Sequence, residues 1–117
     1  MPSKFYQGSP SLYNKCMISA PQLRQLLSEN TDLLLVDVRE AAELVNDGKI
    51  AQAQHLPLSE FETRYTELPK DQAIYLICRS GGRSGGAQAF LLEQGYQQPI
   101  NVVGGMLAWC AAGYETE

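Results

Sequence analysis

Short apolar runs alternate along the chain with longer segments in which apolar residues recur every three or four positions. The runs do not alternate apolar with polar residues, which is typical of strands buried on both faces of a sheet. The periodic segments predict amphipathic helices. The predicted strands are 16–18, 33–38, 54–56, 73–78 and 101–103. Three helices are predicted at 40–46, 84–94 and 105–112. Two more are predicted from their caps: one starts after Ser19, and one is capped by Ser59 and ends at about residue 67.

Strands that alternate with helices predict an α/β domain with an open, mainly parallel sheet of about five strands and helices on both faces. Ligands of such sheets bind beyond the carboxyl ends of the strands, which is where Asp37 and Cys78 fall in this interpretation. Residues 1–15 mix proline, serine, glycine and aromatic residues without a period and predict an irregular arm. The domain itself is expected to span residues 16–117.

Composition excludes several partners. A formal charge of −4 disfavours nucleic acid and anionic membrane surfaces, which require a basic face. No apolar stretch is long enough to cross a bilayer, and the N-terminus lacks the apolar region of a signal peptide, so a cytoplasmic location is expected. The local charge reverses at Arg79 and Arg83, which favours a small anionic ligand.

The three cysteines, Cys16, Cys78 and Cys110, are too few and too far apart for a disulfide framework or a zinc motif. We therefore expect no metal site and no cofactor. Cys16 and Cys110 are predicted to fill the core, with a resolving thiol as the alternative for Cys110. Trp109, together with Met106 and Leu107, is also predicted to be core. His55 is predicted to be satisfied or exposed, without a chemical role.

The loop after the fourth predicted strand carries the clearest chemical signal. It begins at Cys78, passes through Arg79, Ser80, Gly81 and Gly82, and ends at Arg83. Glycines allow backbone N–H groups to turn inward, and such a nest at a helix N-terminus stabilises an anion. A thiol in this setting ionises more readily than a free cysteine, so Cys78 is predicted to be a nucleophile.

At this loop the sequence resembles the rhodanese family of sulfurtransferases, in which four residues separate the catalytic cysteine from a loop-closing residue. Three further stretches match the family pattern in order. They are Asp37-Val38-Arg39-Glu40, residues 48–58 ending in Leu-Pro-Leu, and 103–109 followed by Gly113-Tyr114. The resemblance covers residues 16–117. Many members carry Gly-His-Ile-Pro-Gly-Ala where this chain has Gly-Lys-Ile-Ala-Gln-Ala at 48–53.

The resemblance implies sulfur transfer through a persulfide on Cys78, from thiosulfate or another sulfane-sulfur donor to a thiol, cyanide or a sulfur-relay protein. Arg83 would close the loop and attract the anion, or else pair with a surface carboxylate. Arg79 would bind the donor or point to solvent. Asp37 would brace Arg39, the neighbouring loop or backbone N–H groups, and Arg39 would line the mouth of the site or be solvated. The resemblance also implies that the strands before Asp37 and Cys78 are neighbours.

Two other functions stay open. A cysteine phosphatase or arsenate reductase shares the thiolate nest, but phosphatases of related fold place five residues between cysteine and arginine, and here that position is Ser84. A non-catalytic docking module with the same fold is the second alternative. Inactive relatives typically lose the cysteine, which this chain keeps.

Overall fold

The computed structural model of the protein describes residues 16–30 and 32–117, so the predicted irregular arm, 1–15, lies outside the described residues. The strands are β1 (Met17–Ile18), β2 (Leu35–Asp37), β3 (Gln54–His55), β4 (Ile74–Ile77) and β5 (Pro99–Val102). The α-helices are α1 (Ala20–Glu29), α2 (Ala41–Asp47), α3 (Phe61–Arg64), α4 (Gly82–Glu93) and α5 (Gly105–Ala111). The alternation of strands and helices predicted from the apolar pattern is confirmed.

The five strands of the described residues form one parallel sheet in the order β1-β5-β4-β2-β3. The strand before Cys78, β4, lies at the centre and pairs with β2, as the family resemblance implied. In that pair Asp37 lies opposite Ile77, the residue before Cys78. The sheet therefore brings the ends of both strands to one edge.

Helices cover both faces of the sheet, which confirms the predicted α/β architecture. On one face, α3 and α4 contribute Phe61, Ala87 and Leu91 to a buried cluster against β2 and β4. On the other, α1 and α5 pack against the sheet through a second cluster. Its helical members are Ala20, Leu23, Leu27, Met106 and Trp109. No helix in the described part of the chain is both long enough and apolar enough to cross a membrane.

The start of α1 follows the prediction. Ser19 is the N-cap, and its hydroxyl accepts a hydrogen bond from the Gln22 amide at 3.2 Å. The Gln22 side chain in turn accepts from the Ser19 amide at 2.8 Å, so two N–H groups without helical partners are satisfied. Pro21 lies in the first turn, where its missing N–H costs nothing.

Ser59 does not cap a helix, contrary to the prediction. A 3₁₀ turn begins at Leu58, so Ser59 lies inside it, and its hydroxyl donates to Glu40 Oε1 at 2.7 Å. The predicted helix is divided into that turn, the single turn of α3 and a second 3₁₀ turn, Tyr65–Glu67.

The core assignment is wrong for two residues of α5. Leu107 and Cys110 are exposed, while Met106 and Trp109 are buried as predicted. A helix of seven residues that packs on one side buries residues three positions apart, here Met106 and Trp109. The residue after each of them, Leu107 or Cys110, lies on the outer side of the helix.

Candidate active site

The Cys78 sulfur lies at the centre of the loop between β4 and α4. Its side chain is almost fully buried, and Sγ accepts hydrogen bonds from the Gly81 amide at 3.1 Å and the Ser84 amide at 3.4 Å. The Ser84 hydroxyl lies 3.3 Å from Sγ and 2.6 Å from Asn101 Oδ1, so its one hydrogen is shared between these two acceptors. These donors converge on the sulfur at the N-terminus of a twelve-residue helix, where the helix dipole also favours negative charge.

Gly81 gives the loop its curvature. Its φ of +105° is left-handed, and a Cβ there would lie 3.3 Å from the Gly104 amide. The loop is also held by α5, because the Met106 and Leu107 amides donate to the carbonyl oxygens of Cys78 and Arg79 at 2.9 and 3.0 Å. The cradle around Sγ therefore depends on a helix that follows it by more than twenty residues.

Arg83 is paired with a carboxylate of α2. Its Nη1 and Nη2 donate to the two Glu43 oxygens at 2.7 Å each, a bidentate ion pair. The hydrogen bond from Arg83 lowers the pKa of Glu43 to about 2, although partial burial acts in the opposite direction. The sequence left two roles open for Arg83, which were closing the loop to attract an anion and pairing with a surface carboxylate. The contact with Glu43 is the second of these.

Asp37 and Arg39 form a buried ion pair beneath the same edge of the sheet. Both side chains are 1% exposed, and Arg39 Nη2 lies 2.7 Å from Asp37 Oδ2. Arg39 also donates to the Gly48 carbonyl at 2.9 Å, and its own carbonyl lies 2.6 Å from His55 Nε2. Asp37 thus braces Arg39 as predicted, whereas the solvated alternative for Arg39 is wrong. His55 is satisfied by this backbone contact.

Comparison with known proteins agrees with this geometry. Residues 19–112 match the family model described as a rhodanese-like domain. The chain belongs to this family.

Relatives of the rhodanese-like domain cover nearly the whole described fold. A sulfurtransferase of Allochromatium vinosum is 42% identical over 82% of this chain and 89% of its own length. The thiosulfate sulfurtransferase GlpE of Pseudoalteromonas translucida is 34% identical over 81% and 89%. A rhodanese-related protein from Thermoplasma volcanium superposes with a TM-score of 0.78 at 31% identity, covering 87% of this chain and 97% of that one. Together they support sulfur transfer in general as the chemistry of this fold.

The remaining predicted residues lie on the loop of the rhodanese-like domain. Ser80 and Gly82 are exposed on it, and Gly82 begins α4, two residues earlier than predicted. Arg79 is exposed and lies beside a cavity of about 230 Å³. The lining residues of that cavity are Arg39, Asp47, Arg79, Met106, Leu107 and Cys110.

Sequence reasoning missed three residues of the site. Ser84 has no chemical role in the sequence interpretation, where it starts a helix and marks the loop length, yet its hydroxyl and amide both contact Sγ. Asn101 Oδ1 lies 2.6 Å from the Ser84 hydroxyl oxygen and competes with Sγ for its hydrogen, and Asn101 Nδ2 donates to the Gly81 carbonyl at 3.1 Å. Glu43 is the third. A polar residue within an apolar strand was the available signal for Asn101, whereas nothing in the sequence pairs Glu43 with Arg83.

The Cys78 thiol is expected to ionise below the pKa of an ordinary cysteine. Burial alone would raise its pKa, but hydrogen bonds from Ser84, Gly81 and Ser80 outweigh burial and lower it. Because folding lowers this pKa, the thiolate adds stability above the unfolded value of about 8.5. That contribution is lost as the pH falls through the lower folded value.

Alkylation rates measured against pH test this expectation, with the denatured protein as the reference for an unperturbed thiol. The midpoint for Cys78 should lie below that of the denatured chain. The unfolding free energy of the native protein, compared with that of Cys78→Ser, should show the matching gain toward high pH. An alkylation midpoint at or above the denatured value would contradict the prediction.

Proposed function

We propose that this rhodanese-like domain is a sulfurtransferase that carries sulfane sulfur as a persulfide on Cys78. The observation that carries the proposal is the convergence of two backbone amides, those of Gly81 and Ser84, on one buried sulfur, with the Ser84 hydroxyl 3.3 Å away. Relatives named sulfurtransferase and thiosulfate sulfurtransferase support the same chemistry.

In the first step, the Cys78 thiolate attacks the outer sulfur of a donor such as thiosulfate. The new S–S bond forms as the bond between the two donor sulfurs breaks, and sulfite leaves with the electron pair. The loop stabilises negative charge on both the thiolate and the persulfide without rearranging, since its donors are held by the backbone.

In the second step, cyanide or the thiolate of a small thiol or of a sulfur-relay protein attacks the terminal sulfur of the protonated Cys78 persulfide, and the proton stays on the transferred sulfur. The bond to Cys78 Sγ breaks, and its electron pair regenerates the thiolate. The first step needs no strong general base, because the loop favours the ionised form of the attacking cysteine, and in the second step the acceptor attacks as an anion. This agrees with the site, in which none of the described donors to Sγ belongs to a histidine.

Intact-mass measurement after treatment with thiosulfate, and separately with glutathione persulfide, tests the proposal. The native protein should gain one sulfur atom, cyanide should remove it as thiocyanate, and Cys78→Ser should abolish both reactions. Cys110→Ser is the matched control, because it removes an exposed thiol on the neighbouring helix. It should leave the labelling unchanged. Sulfur that appears on Cys16 or Cys110 while Cys78 stays unmodified would overturn the assignment.

The phosphatase alternative is less consistent with the loop. Only four residues separate Cys78 from Arg83, and the Arg83 guanidinium is already bound at both ends by Glu43. A phosphoryl group would need that fork for its own oxygens. Hydrolysis of an aryl phosphate that depends on Cys78 would establish the phosphatase instead.

A further inference from the structure

Among the described residues, three arginines lie on the Cys78 loop or line the cavity beside it, and carboxylates neutralise two of them. Arg83 is held by Glu43 through two contacts of 2.7 Å, and Arg39 is held by Asp37 in the buried pair. Arg79 makes no ion pair among the described residues, but Asp47 lines the same cavity. The loop and the cavity beside it therefore carry less positive charge than their arginines alone would provide.

This balance matters for the choice of donor because sulfane-sulfur donors differ in charge. Thiosulfate is a dianion, and an arginine recognises an oxyanion best through the two parallel N–H groups of its fork. Arg83 already uses that mode to bind Glu43. Glu43 is 26% exposed and Arg83 37% exposed, and Arg83 lies in the first turn of the helix that follows Cys78, so a donor in solution can meet the charge of this pair.

We propose that Glu43 is a specificity-determining residue, which occupies Arg83 and so favours a persulfide carried on a thiol over the thiosulfate dianion as the sulfur donor. This inference rests on the proposed function. For such a donor in its protonated form, R–S–SH, the Cys78 thiolate attacks the terminal sulfur. The S–S bond of the donor breaks, R–S⁻ leaves with the electron pair, and the proton stays on the new Cys78 persulfide. No fixed cation is required to hold a leaving sulfite.

Glu43→Gln tests the proposal, because it keeps the shape of the side chain and removes the charge that neutralises Arg83. The two probes are thiosulfate and methanethiosulfonate, which is also a sulfane-sulfur donor but carries one negative charge. In Glu43→Gln we expect kcat/KM for thiosulfate to rise about tenfold, chiefly through KM, and that for methanethiosulfonate to rise roughly threefold. Added salt should reduce both gains.

Glu67→Gln is the matched control. Glu67 forms an exposed ion pair with Arg64, in which Arg64 Nε lies 3.0 Å from Glu67 Oε2, and this pair is remote from Cys78. It should change neither rate. Arg83→Gln, alone and combined with Glu43→Gln, shows whether Glu43 acts through Arg83. In the Arg83→Gln background, the gain from Glu43→Gln should fall to less than half.

Wild-type protein provides a measurement that does not depend on a variant folding. It should take up sulfur on Cys78 from the persulfide of 2-mercaptoethanol, whose organic part carries no charge, at least tenfold faster than from thiosulfate at equal concentration. Equal or faster uptake from thiosulfate would overturn the inference, as would a folded Glu43→Gln variant with an unchanged ratio between the two probes. In both cases the proposed function would stand, because sulfur still reaches Cys78. Absence of sulfur on Cys78 from every donor would instead overturn the proposed function.

Discussion

Replacement of Asp37 by alanine is expected to lower the free energy of unfolding by about 3–5 kcal/mol. The substitution leaves the Arg39 guanidinium 1% exposed without its charge partner. It also removes the acceptor of the Arg39 backbone amide, which donates to Asp37 Oδ1 at 3.0 Å. A domain of this size is typically stable by only about 5–15 kcal/mol, so the loss is a large share of the total. Denaturant unfolding followed by circular dichroism measures it.

Glu60→Ala is the control for this prediction. Glu60 pairs with Arg64 at the same 2.7 Å as the buried pair, but both side chains are exposed. Water replaces the lost partner there, so the cost should be about 1 kcal/mol or less. If the two alanine variants lose similar stability, burial is not what makes the Asp37–Arg39 pair important.

Much of the fold could be predicted from the apolar pattern, because strands buried on both faces are apolar throughout. The run 73–78 predicted β4, and 33–38 predicted β2 despite Asp37 within it. Their pairing could not be derived this way. Register depends on contacts between segments far apart in sequence, and only the family resemblance implied that these two strands are neighbours.

The site was predictable where it is local and not where it is assembled from distant segments. Glycines and arginines within six residues of Cys78 predicted the thiolate nest. The Arg83–Glu43 pair joins residues forty positions apart, so the sequence left the role of Arg83 open. The apolar neighbours of Cys110 predict a core position for it. A seven-residue helix that packs on one side leaves its other side exposed, and the Cys110 thiol lies there, where it lines the same cavity as Arg79.

Substitution of alanine for Gly105 is expected to reduce sulfur transfer about a hundredfold, the effect of misplacing reacting groups by about 1 Å. Gly105 has a left-handed φ of +54°, and its added Cβ would meet the Cys78 carbonyl oxygen and lie 2.7 Å from that of Arg79. Both atoms belong to the backbone of the active loop, so a side-chain rotation cannot relieve the contact. The loop must shift, and the donors around Sγ shift with it.

Gly86→Ala distinguishes this effect from a general intolerance of alanine. Gly86 lies within α4, and a Cβ there would meet nothing within 4 Å. Alanine in an open helical position should add up to about 1 kcal/mol of stability and leave sulfur transfer unchanged. Thiocyanate formation by the two folded variants, each compared with wild type, measures the contrast. If Gly105→Ala keeps wild-type activity, close packing of α5 on the loop does not position Cys78. The hydrogen bonds from the Gly81 and Ser84 amides would then be sufficient to hold the sulfur in place.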